Sequence, residues 1–281
     1  MAGSRPDDFN RQIFMTWHLD IPKILHCYWG TDPLPYLRYK TVESFIDLNP
    51  DWEVRLYCPA YPSKVVTWQT KELNYKVEWD DHLRDLLSLP IKVKYVDMRD
   101  FGMSNHISEV HKSDFLRLWL LGTYGGVWTD MDILYFNPIT HLSVNTLENF
   151  DAETFVCMSH YGHSNGFFMA SPGSYFFTKM AEYSKQDLKT YNFQSNGPGS
   201  CNKHFPRITD IPKAVNISME AVYAHDGQHI PELYDGTKPR FTFGSIGCHW
   251  YGGHPLSGEF LRATNGGKTN LPNNIIGNLL K

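Results

Sequence analysis

The chain lacks the features that would place it in a membrane, in the secretory pathway or on nucleic acid. It has no apolar run of about eighteen residues, so the sequence predicts no transmembrane helix. The N-terminal segment MAGSRPDDFNRQIF carries acidic residues and no apolar stretch, so we do not expect a secretory signal. A formal net charge of −4 and an isoelectric point near 6.3 lack the basic excess of a general nucleic-acid binder.

The chain also lacks paired cysteines. Its five cysteines are odd in number, widely spaced and without a C-x-x-C pair: Cys27, Cys58, Cys157, Cys201 and Cys248. This pattern is typical of reduced, buried thiols rather than of a disulfide framework or a zinc site. Without an export signal, we expect the sequon that begins at Asn216 to be silent. The sequence therefore predicts a cytosolic protein.

What the chain does have is enough apolar material for a sizeable core. Hydrophobic residues make up 42% of its 281 residues, and aromatic residues make up 15%. Apolar periodicity predicts strands over 21–29, 52–57, 91–96, 155–158 and 166–170, and helices over 34–48, 62–73, 80–87, 107–121 and 172–185. Gly122 is the predicted C-cap of the helix over 107–121, and residues after 192 are predicted to form loops that cover a site. The strand–helix alternation predicts an α/β domain with a mostly parallel sheet and ligands at the carboxyl ends of its strands.

The most informative segment spans residues 111–138, HKSDFLRLWLLGTYGGVWTDMDILYFNP. It predicts a helix, a Gly-Gly break and a strand that ends in Asp130-Met131-Asp132. Because alternate strand residues point the same way, the two carboxylates are expected to converge. Paired oxygen ligands suit Mg²⁺ or Mn²⁺, and such an ion suits a diphosphate, so this chemistry indicates transfer from a nucleotide-diphosphate sugar. A solvated turn with two surface aspartates is the alternative interpretation.

Two charged residues on the helix before this strand have two interpretations as well. Asp114 and Arg117 are neighbours at a spacing of three residues. They could form an intrahelical ion pair that stabilises the helix by only a few tenths of a kcal/mol. They could also bind a ligand, with the carboxylate on sugar or ribose hydroxyls and the guanidinium on diphosphate or sugar oxygens. The spacing alone does not choose between these roles.

The whole motif resembles a known enzyme family. The pattern S-D-x-x-R-x-x-x-L-x-x-x-G-G-x-x-x-D-x-D, with the leucine displaced by one position, is similar to that of the DXD sugar-binding glycosyltransferases. This family includes α-1,6-mannosyltransferase-like and α-1,4-galactosyltransferase-like Golgi enzymes and, more distantly, the glucosylating bacterial toxins. Four further segments agree, with Asn196 in place of the threonine of many relatives: IPKILHCYWG at 21–30, SNGFFMA at 164–170, NGPG at 196–199 and, more loosely, CHW at 248–250.

The resemblance implies a GT-A-type fold, with a mostly parallel central sheet and helices on both faces, and a metal-dependent transfer. The implied metal is Mn²⁺ or Mg²⁺, and the implied partners are a nucleotide-sugar donor (UDP-linked favoured, GDP-linked possible) and a glycan acceptor. We predict a single domain over 1–281, in which residues 21–140 bind the nucleotide sugar and the metal and residues 141–281 form the acceptor side.

The resemblance also implies roles for individual residues. Asp132 would bind the metal directly, and Asp130 would bind it through water or hold the ribose. Asp114 and Arg117 would orient the donor sugar, and Trp29 would lie near the base, unless it is only a core aromatic.

His249 is a candidate third metal or diphosphate ligand, although a structural role beside Trp250 fits its position as well. Asn165 is a candidate ligand of sugar or acceptor, or a turn-forming residue before Gly166.

In such a mechanism, Asp130, Asp132 and Arg117 are the predicted catalytic residues. The metal and Arg117 would neutralise the charge of the departing diphosphate. The resemblance favours retention of configuration, but the sequence does not identify a base among four candidates: Asp151, Glu153, His160 and Asp226.

Two other classes of function stay open at the level of sequence. The first is a phosphatase or phosphotransferase of the haloacid-dehalogenase type with Asp130 as nucleophile, which the leucine at position 134 and the lack of a recognisable later acidic pair argue against. The second is a non-catalytic sugar-binding module. The absence of a signal anchor makes the chain look like the free-standing enzymes of bacteria or large DNA viruses.

Overall fold

The structure is a computed structural model that describes residues 21–30, 33–65, 78–142 and 151–281. Its strands are β1 (Ile24–Tyr28), β2 (Glu53–Pro59), β3 (Lys92–Val96), β4 (Gly126–Thr129), β5 (Ile133–Tyr135), β6 (Thr154–Ser159), β7 (Gly162–Ala170), β8 (Ala214–Asn216) and β9 (Gly247–His249). Its α-helices are α1 (Tyr36–Leu48), α2 (Leu83–Ser88), α3 (Glu109–Tyr124), α4 (Tyr175–Asp187), α5 (Pro198–His204), α6 (Ile230–Asp235), α7 (Pro255–Ala263) and α8 (Ile275–Leu279).

A seven-stranded sheet organises the fold, in the order β3-β2-β1-β4-β7-β6-β8. Strands β3, β2, β1 and β4 run parallel, β7 is antiparallel to both of its neighbours, and β8 runs parallel to β6. The chain moves outward from β1 to β3 and then returns to place β4 on the other side of β1. In open α/β sheets, this reversal leaves a crevice at the carboxyl ends of the two central strands, where ligands bind.

Both faces of the sheet are covered by helices. Alternate residues of β4 point to opposite sides, so Val127 packs in one apolar cluster with Phe45 of α1, and Trp128 packs in another with Leu118 of α3 and Phe176 of α4. The predicted α/β fold with a mostly parallel sheet and helices on both faces is therefore confirmed. No described helix has the length and apolar character needed to cross a membrane.

A second, two-stranded sheet ties the C-terminal part of the chain to the central strands. β5 follows the D-x-D segment and pairs antiparallel with β9, so that Ile133 lies opposite His249. The backbone N–H of Trp250 also donates to the carbonyl of Asp132 at 2.9 Å. This pairing brings the region after residue 245 against the strand end where the sequence predicts a metal site.

The helix α3 begins and ends for identifiable reasons. Ser108 is its N-cap, and its hydroxyl accepts a hydrogen bond from the N–H of His111. The predicted C-cap at Gly122 is wrong, because the helix continues to Tyr124 and ends at Gly125, which has a φ of +62°. At Gly122, a Cβ would lie 3.0 Å from the backbone nitrogen of Thr178, so this glycine allows α3 and α4 to approach closely.

Three other predictions need correction or lie outside the described residues. The D-x-D segment is not the end of a strand, because β4 ends at Thr129 and residues 131–132 form a turn. The region after 192 is not only loops, since its described residues include four short α-helices, three 3₁₀-helices and two strands. Of the helix predicted over 62–73, residues 62–65 are not helical and the rest lie outside the described ranges.

Candidate donor and metal site

The two aspartates of the D-x-D segment lie at the carboxyl end of β4, beside the reversal of strand order. The backbone N–H of Asp130 donates to the carbonyl of Gly166 on β7 at 2.7 Å, which fixes the first residue after the strand. The turn at 131–132 then directs the chain into β5. The side chains of Asp130 and Asp132 converge because of this turn, and not because alternate strand residues share a face.

Asp132 and His249 face each other across the small sheet. Oδ2 of Asp132 accepts a hydrogen bond from the N–H of Gly252 at 2.9 Å, and Oδ1 lies 3.1 Å from Nε2 of His249. Burial would raise the pKa of Asp132, but the nearby charges of His249 and Arg38 and the Gly252 N–H outweigh it and hold this pKa below its usual range. The carboxylate is therefore ionised at neutral pH although only 9% of the residue is exposed.

The atoms around Asp132 fit a divalent cation. Ligand atoms of Asp130, Asp132 and His249, three residues that we call the metal group, all lie within 4.8 Å of one another. Oδ1 of Asp132 and Nδ1 of His249 are buried and have no well-formed hydrogen bond to a described residue. Two carboxylate oxygens and an imidazole nitrogen form a donor set that suits Mn²⁺ and is acceptable to Mg²⁺. The burial of Asp132 also argues against the alternative of a solvated surface turn.

Asp130 is also held by Arg117 and Trp128. The indole N–H of Trp128 donates to Oδ1 of Asp130 at 2.8 Å, and the guanidinium of Arg117 lies 3.2 Å from the same oxygen. The guanidinium also lies 5.2 Å from the centroid of the Trp128 ring. The positive charge of Arg117 therefore compensates the negative charge of the Asp130 carboxylate.

Arg117 also connects Asp114 to the site. The predicted ion pair on the helix therefore contacts residues outside that helix as well. A guanidinium nitrogen lies 3.0 Å from Oδ1 of Asp114, and another donates to the carbonyl of Asn165 at 2.6 Å. Both side chains of the pair are nearly inaccessible, with 5% and 6% exposed. Burial raises the pKa of Asp114 to about 7, because the attraction of Arg117 only partly offsets desolvation and the repulsion from Asp130 adds to it.

The stability of the protein should consequently depend on pH through Asp114. Between the usual carboxyl pKa and about 7, the folded state binds a proton that the unfolded state has lost, so the free energy of unfolding falls as pH rises. We expect Asp114→Asn to remove this slope, so that the variant gains about 2 kcal/mol relative to wild type between pH 5 and pH 8. Urea unfolding of both proteins at both pH values measures this difference. If the free energy of unfolding changed equally with pH in the wild type and the variant, the raised pKa of Asp114 would be contradicted. Asp132 acts in the opposite direction and at lower pH, since its depressed pKa stabilises the fold above the usual carboxyl range.

Gly197 keeps the space in which the Asp114 carboxylate lies. It belongs to the predicted NGPG loop and precedes α5, and a Cβ at this position would overlap both carboxylate oxygens of Asp114. We expect Gly197→Ala to lower the free energy of unfolding by about 1–3 kcal/mol and to displace Asp114. The matched control is Gly253→Ala, because a Cβ there meets no atom within 4 Å. Equal stability of the two variants in urea unfolding would contradict this expectation, because it would show that the loop at Gly197 moves to accommodate the added methyl group.

A cavity of about 430 Å³ opens onto these side chains. Asp114, Arg117, Asp130, Asn165 and His249 all line it. Of the predicted site residues, Asp132 and Trp29 do not line this cavity, although Asp132 adjoins it through its contacts with Asp130 and His249. The buried Oδ1 of Asn165 has no hydrogen bond to a described residue, which leaves it able to accept one from a ligand.

Trp29 lies at the end of β1, at the same edge of the sheet but away from the cavity. It is half-buried and packs against the core, and the guanidinium of Arg38 lies 5.0 Å from its ring centroid. The same guanidinium lies 5.1 Å from the ring of Trp250. Residues 31 and 32, which follow this strand, are outside the described ranges. A role of Trp29 near the base stays a prediction.

The sequence did not indicate Tyr223, which also lines the cavity. Its ring centroid is 5.0 Å from that of His249, and its buried hydroxyl has no hydrogen bond to a described residue. A Cβ on Gly166 would lie 2.8 Å from this hydroxyl and 3.2 Å from Oδ2 of Asp130, so the two groups flank one small space. No motif singles out this tyrosine, and it is recognisable only once β9 is placed.

Comparison with known proteins agrees with this geometry. Residues 35–151 match the model of a family described as the glycosyltransferase sugar-binding region containing DXD motif. Residues 35–151 are therefore similar to the sugar-binding region of the DXD glycosyltransferases. The family predicted from the sequence is thus confirmed, and the matched region includes Asp114, Arg117 and both aspartates of the D-x-D segment.

A curated relative and two solved structures are also similar to this chain. Inositol phosphoceramide mannosyltransferase 3 of Schizosaccharomyces pombe is 25% identical over 262 residues, which cover 87% of this chain and 60% of the relative. The chain thus spans about three fifths of that relative. The galactosyltransferase LgtC, solved with donor and acceptor sugar analogues, is 15% identical with a TM-score of 0.43, covering 82% of this chain and 87% of LgtC. The PaToxG glycosyltransferase is 13% identical with a TM-score of 0.44, covering 66% and 70%.

Proposed function

We propose that the chain is a metal-dependent glycosyltransferase that moves a sugar from a nucleotide-diphosphate sugar to a hydroxyl of a glycan or related acceptor. The observation that carries the proposal is the convergence of Asp130, Asp132 and His249 ligand atoms within 4.8 Å, next to a buried arginine and a cavity. The family of the matched region supports the same reaction class.

Some residues of the site would supply or bind charge, and others would position the donor sugar. Asp132 and His249 would hold Mn²⁺ or Mg²⁺, and Asp130 would reach the ion directly or through water. When bound, the ion would supply positive charge for the diphosphate. Arg117 keeps a positive charge at the same end of the cavity, and Asp114 and Asn165 offer acceptors for hydroxyls of the donor sugar.

The proposed reaction exchanges one bond at the anomeric carbon for another. The bond from this carbon to the diphosphate oxygen breaks, and its electron pair leaves with the nucleoside diphosphate. The acceptor oxygen forms the new bond to the anomeric carbon, and its proton passes to the departing diphosphate or to solvent. Binding both substrates in one cavity contributes through proximity, and fixed charges contribute by stabilising the leaving group.

Calorimetric titration of nucleotide sugars tests this proposal directly. UDP-hexoses and GDP-mannose would be titrated into the wild-type chain with Mn²⁺, with Mg²⁺ and with EDTA. The name of the Schizosaccharomyces pombe relative makes mannose the first sugar to examine, although the UDP-linked class is the one favoured by the sequence. Cation-dependent binding of one donor supports the proposal. A folded protein that binds no nucleotide sugar contradicts it.

Product analysis separates the transferase from the two other functions left open by the sequence. Release of the nucleoside diphosphate with transfer of the sugar supports a transferase. Release of orthophosphate from phosphate esters would support a phosphatase, and donor binding without turnover would support a binding module. The geometry argues against the phosphatase, because Asp130 is engaged by Arg117 and Trp128 rather than free as a nucleophile. The single-domain organisation and the cytosolic location stay predictions.

A further inference from the structure

The cavity changes character from its inner to its outer part. At the inner part, the side chains of Asp114 and Arg117 are only 5% and 6% exposed. At the outer part, the Asp226 side chain is 39% exposed and Tyr161 is 76% exposed. The outer part is formed by the turn between β6 and β7, the loop before α5 and the segment that ends at Gly227. A donor held by the inner groups would leave this outer part open to a second molecule.

Asp226 gives the outer part of the cavity a negative charge; Arg240 also acts on this carboxylate, but it lies outside the described lining and is paired with Glu232 at 2.6 Å. Among the described residues that line the cavity, Arg117 is the one lysine or arginine, and it is already engaged by Asp114 and Asp130. Asp226 is the lining carboxylate that lies outside both the metal group and the Arg117 pair. A phosphorylated molecule placed here would meet a like charge without a compensating arginine or lysine from these residues.

Asp226 also differs from the other residues that the sequence left as candidate bases. Asp151, Glu153 and His160 do not appear among the described residues that line the cavity, and Glu153 is paired with Lys213 at 2.6 Å. Asp226 is held in place by its backbone, because its carbonyl accepts a hydrogen bond from the N–H of His229 at 2.8 Å. Its Oδ1 lies 3.4 Å from Nδ1 of the same histidine.

We propose that Asp226 and Tyr161 form the acceptor subsite, and that this subsite takes an uncharged polyol, such as a sugar ring or a cyclitol. The inference rests on the proposed glycosyl transfer and deepens it. The Asp226 carboxylate accepts a hydrogen bond from the attacking hydroxyl, a charge-assisted bond that fixes the acceptor oxygen. The exposed ring of Tyr161 offers a flat apolar face for the carbon side of the acceptor ring.

Steady-state kinetics of Asp226→Asn test the carboxylate. Loss of a hydrogen bond to a charged group is expected to raise the acceptor KM by about 10- to 100-fold. The affinity for the nucleotide sugar in the presence of the cation is expected to stay unchanged, because Asp226 lies outside the metal group. Asp235→Asn is the matched control, since Asp235 is an exposed carboxylate on α6 that lines a different cavity. An unchanged acceptor KM in Asp226→Asn overturns the role of Asp226.

A second comparison tests the aromatic face. Tyr161→Ala is expected to raise the acceptor KM, whereas Tyr95→Ala, which removes a tyrosine that is 73% exposed on β3, is expected to leave it unchanged. Equal effects of the two substitutions would contradict stacking on Tyr161.

Acceptor binding tests the chemical class without requiring turnover. Methyl mannoside and myo-inositol, and their monophosphates, would be examined by saturation-transfer NMR against the wild-type chain loaded with Mg²⁺ and nucleoside diphosphate. The inference predicts that the neutral polyols bind and that their monophosphates bind more weakly. In Asp226→Asn, the preference for the neutral polyols over the monophosphates should be smaller. Preference for the phosphates, or no binding of a neutral polyol, overturns it. If the nucleoside diphosphate itself fails to bind, the proposed function fails instead, so the two failures are distinguishable.

Discussion

Asp132→Asn is expected to remove the cation-dependent part of nucleotide-sugar binding while leaving the fold intact. The amide oxygen of asparagine can still accept the hydrogen bond from the Gly252 N–H, and its NH₂ group can face Nε2 of His249. What the variant loses is the negative charge and one oxygen ligand. Since loss of an outer partner of a metal ligand already costs about 10- to 100-fold in affinity, loss of this ligand should cost at least about 100-fold.

The measurement is a titration of Mn²⁺ and of donor into the variant, with the far-ultraviolet circular dichroism spectrum as a check of folding. Asp210→Asn is a suitable control, because Asp210 is a surface carboxylate paired with Arg207. Wild-type affinity for the cation in a folded Asp132→Asn protein would exclude Asp132 as a metal ligand.

Arg117→Met is expected to be the most destabilising of the site substitutions. The guanidinium lies within salt-bridge distance of Asp114 and Asp130 and donates to the Asn165 carbonyl. Methionine fills a similar volume but leaves carboxylates in a buried environment without their counter-charge. Breaking a buried ion pair in this way costs about 3–5 kcal/mol.

Urea unfolding of a double-mutant cycle separates this charge effect from simple loss of packing. Combining Arg117→Met with Asp114→Asn should recover part of the lost stability, because the second change removes one unpaired charge. Arg207→Met at an exposed ion pair should have little effect. Additive losses at Arg117 and Asp114 would mean that the pair is not coupled.

Much of the central sheet could be predicted from the sequence because its signals are local. Apolar strands and amphipathic helices of ordinary length indicate β1, α1, β2, β3, α3, β6, β7 and α4 within a few residues. Gly122 shows the limit of such reasoning. Its lack of a Cβ serves contact with α4, which depends on a partner that the local sequence does not specify.

The candidate site divides in the same way. Asp114, Arg117, Asp130 and Asp132 lie in one continuous motif, so the sequence indicated them together. His249 could only be a candidate, because its position depends on a three-residue strand that pairs with β5. Tyr223 and Asp226 lie in a segment without apolar periodicity, and their place in the cavity follows from the packing of residues 219–227 beneath β9.

The pairing of β5 with β9 has a consequence for how the protein acquires its metal site. Asp132 and His249 are far apart in the sequence and meet only through this three-residue ladder, so the site does not exist until the C-terminal third of the chain has closed a long loop. A cation that binds there recognises the folded chain and not the unfolded one. At a concentration about 100 times its Kd, it would add about 2.7 kcal/mol to the free energy of unfolding. The ion would then hold the C-terminal part of the chain against the central strands, in addition to supplying charge in the cavity.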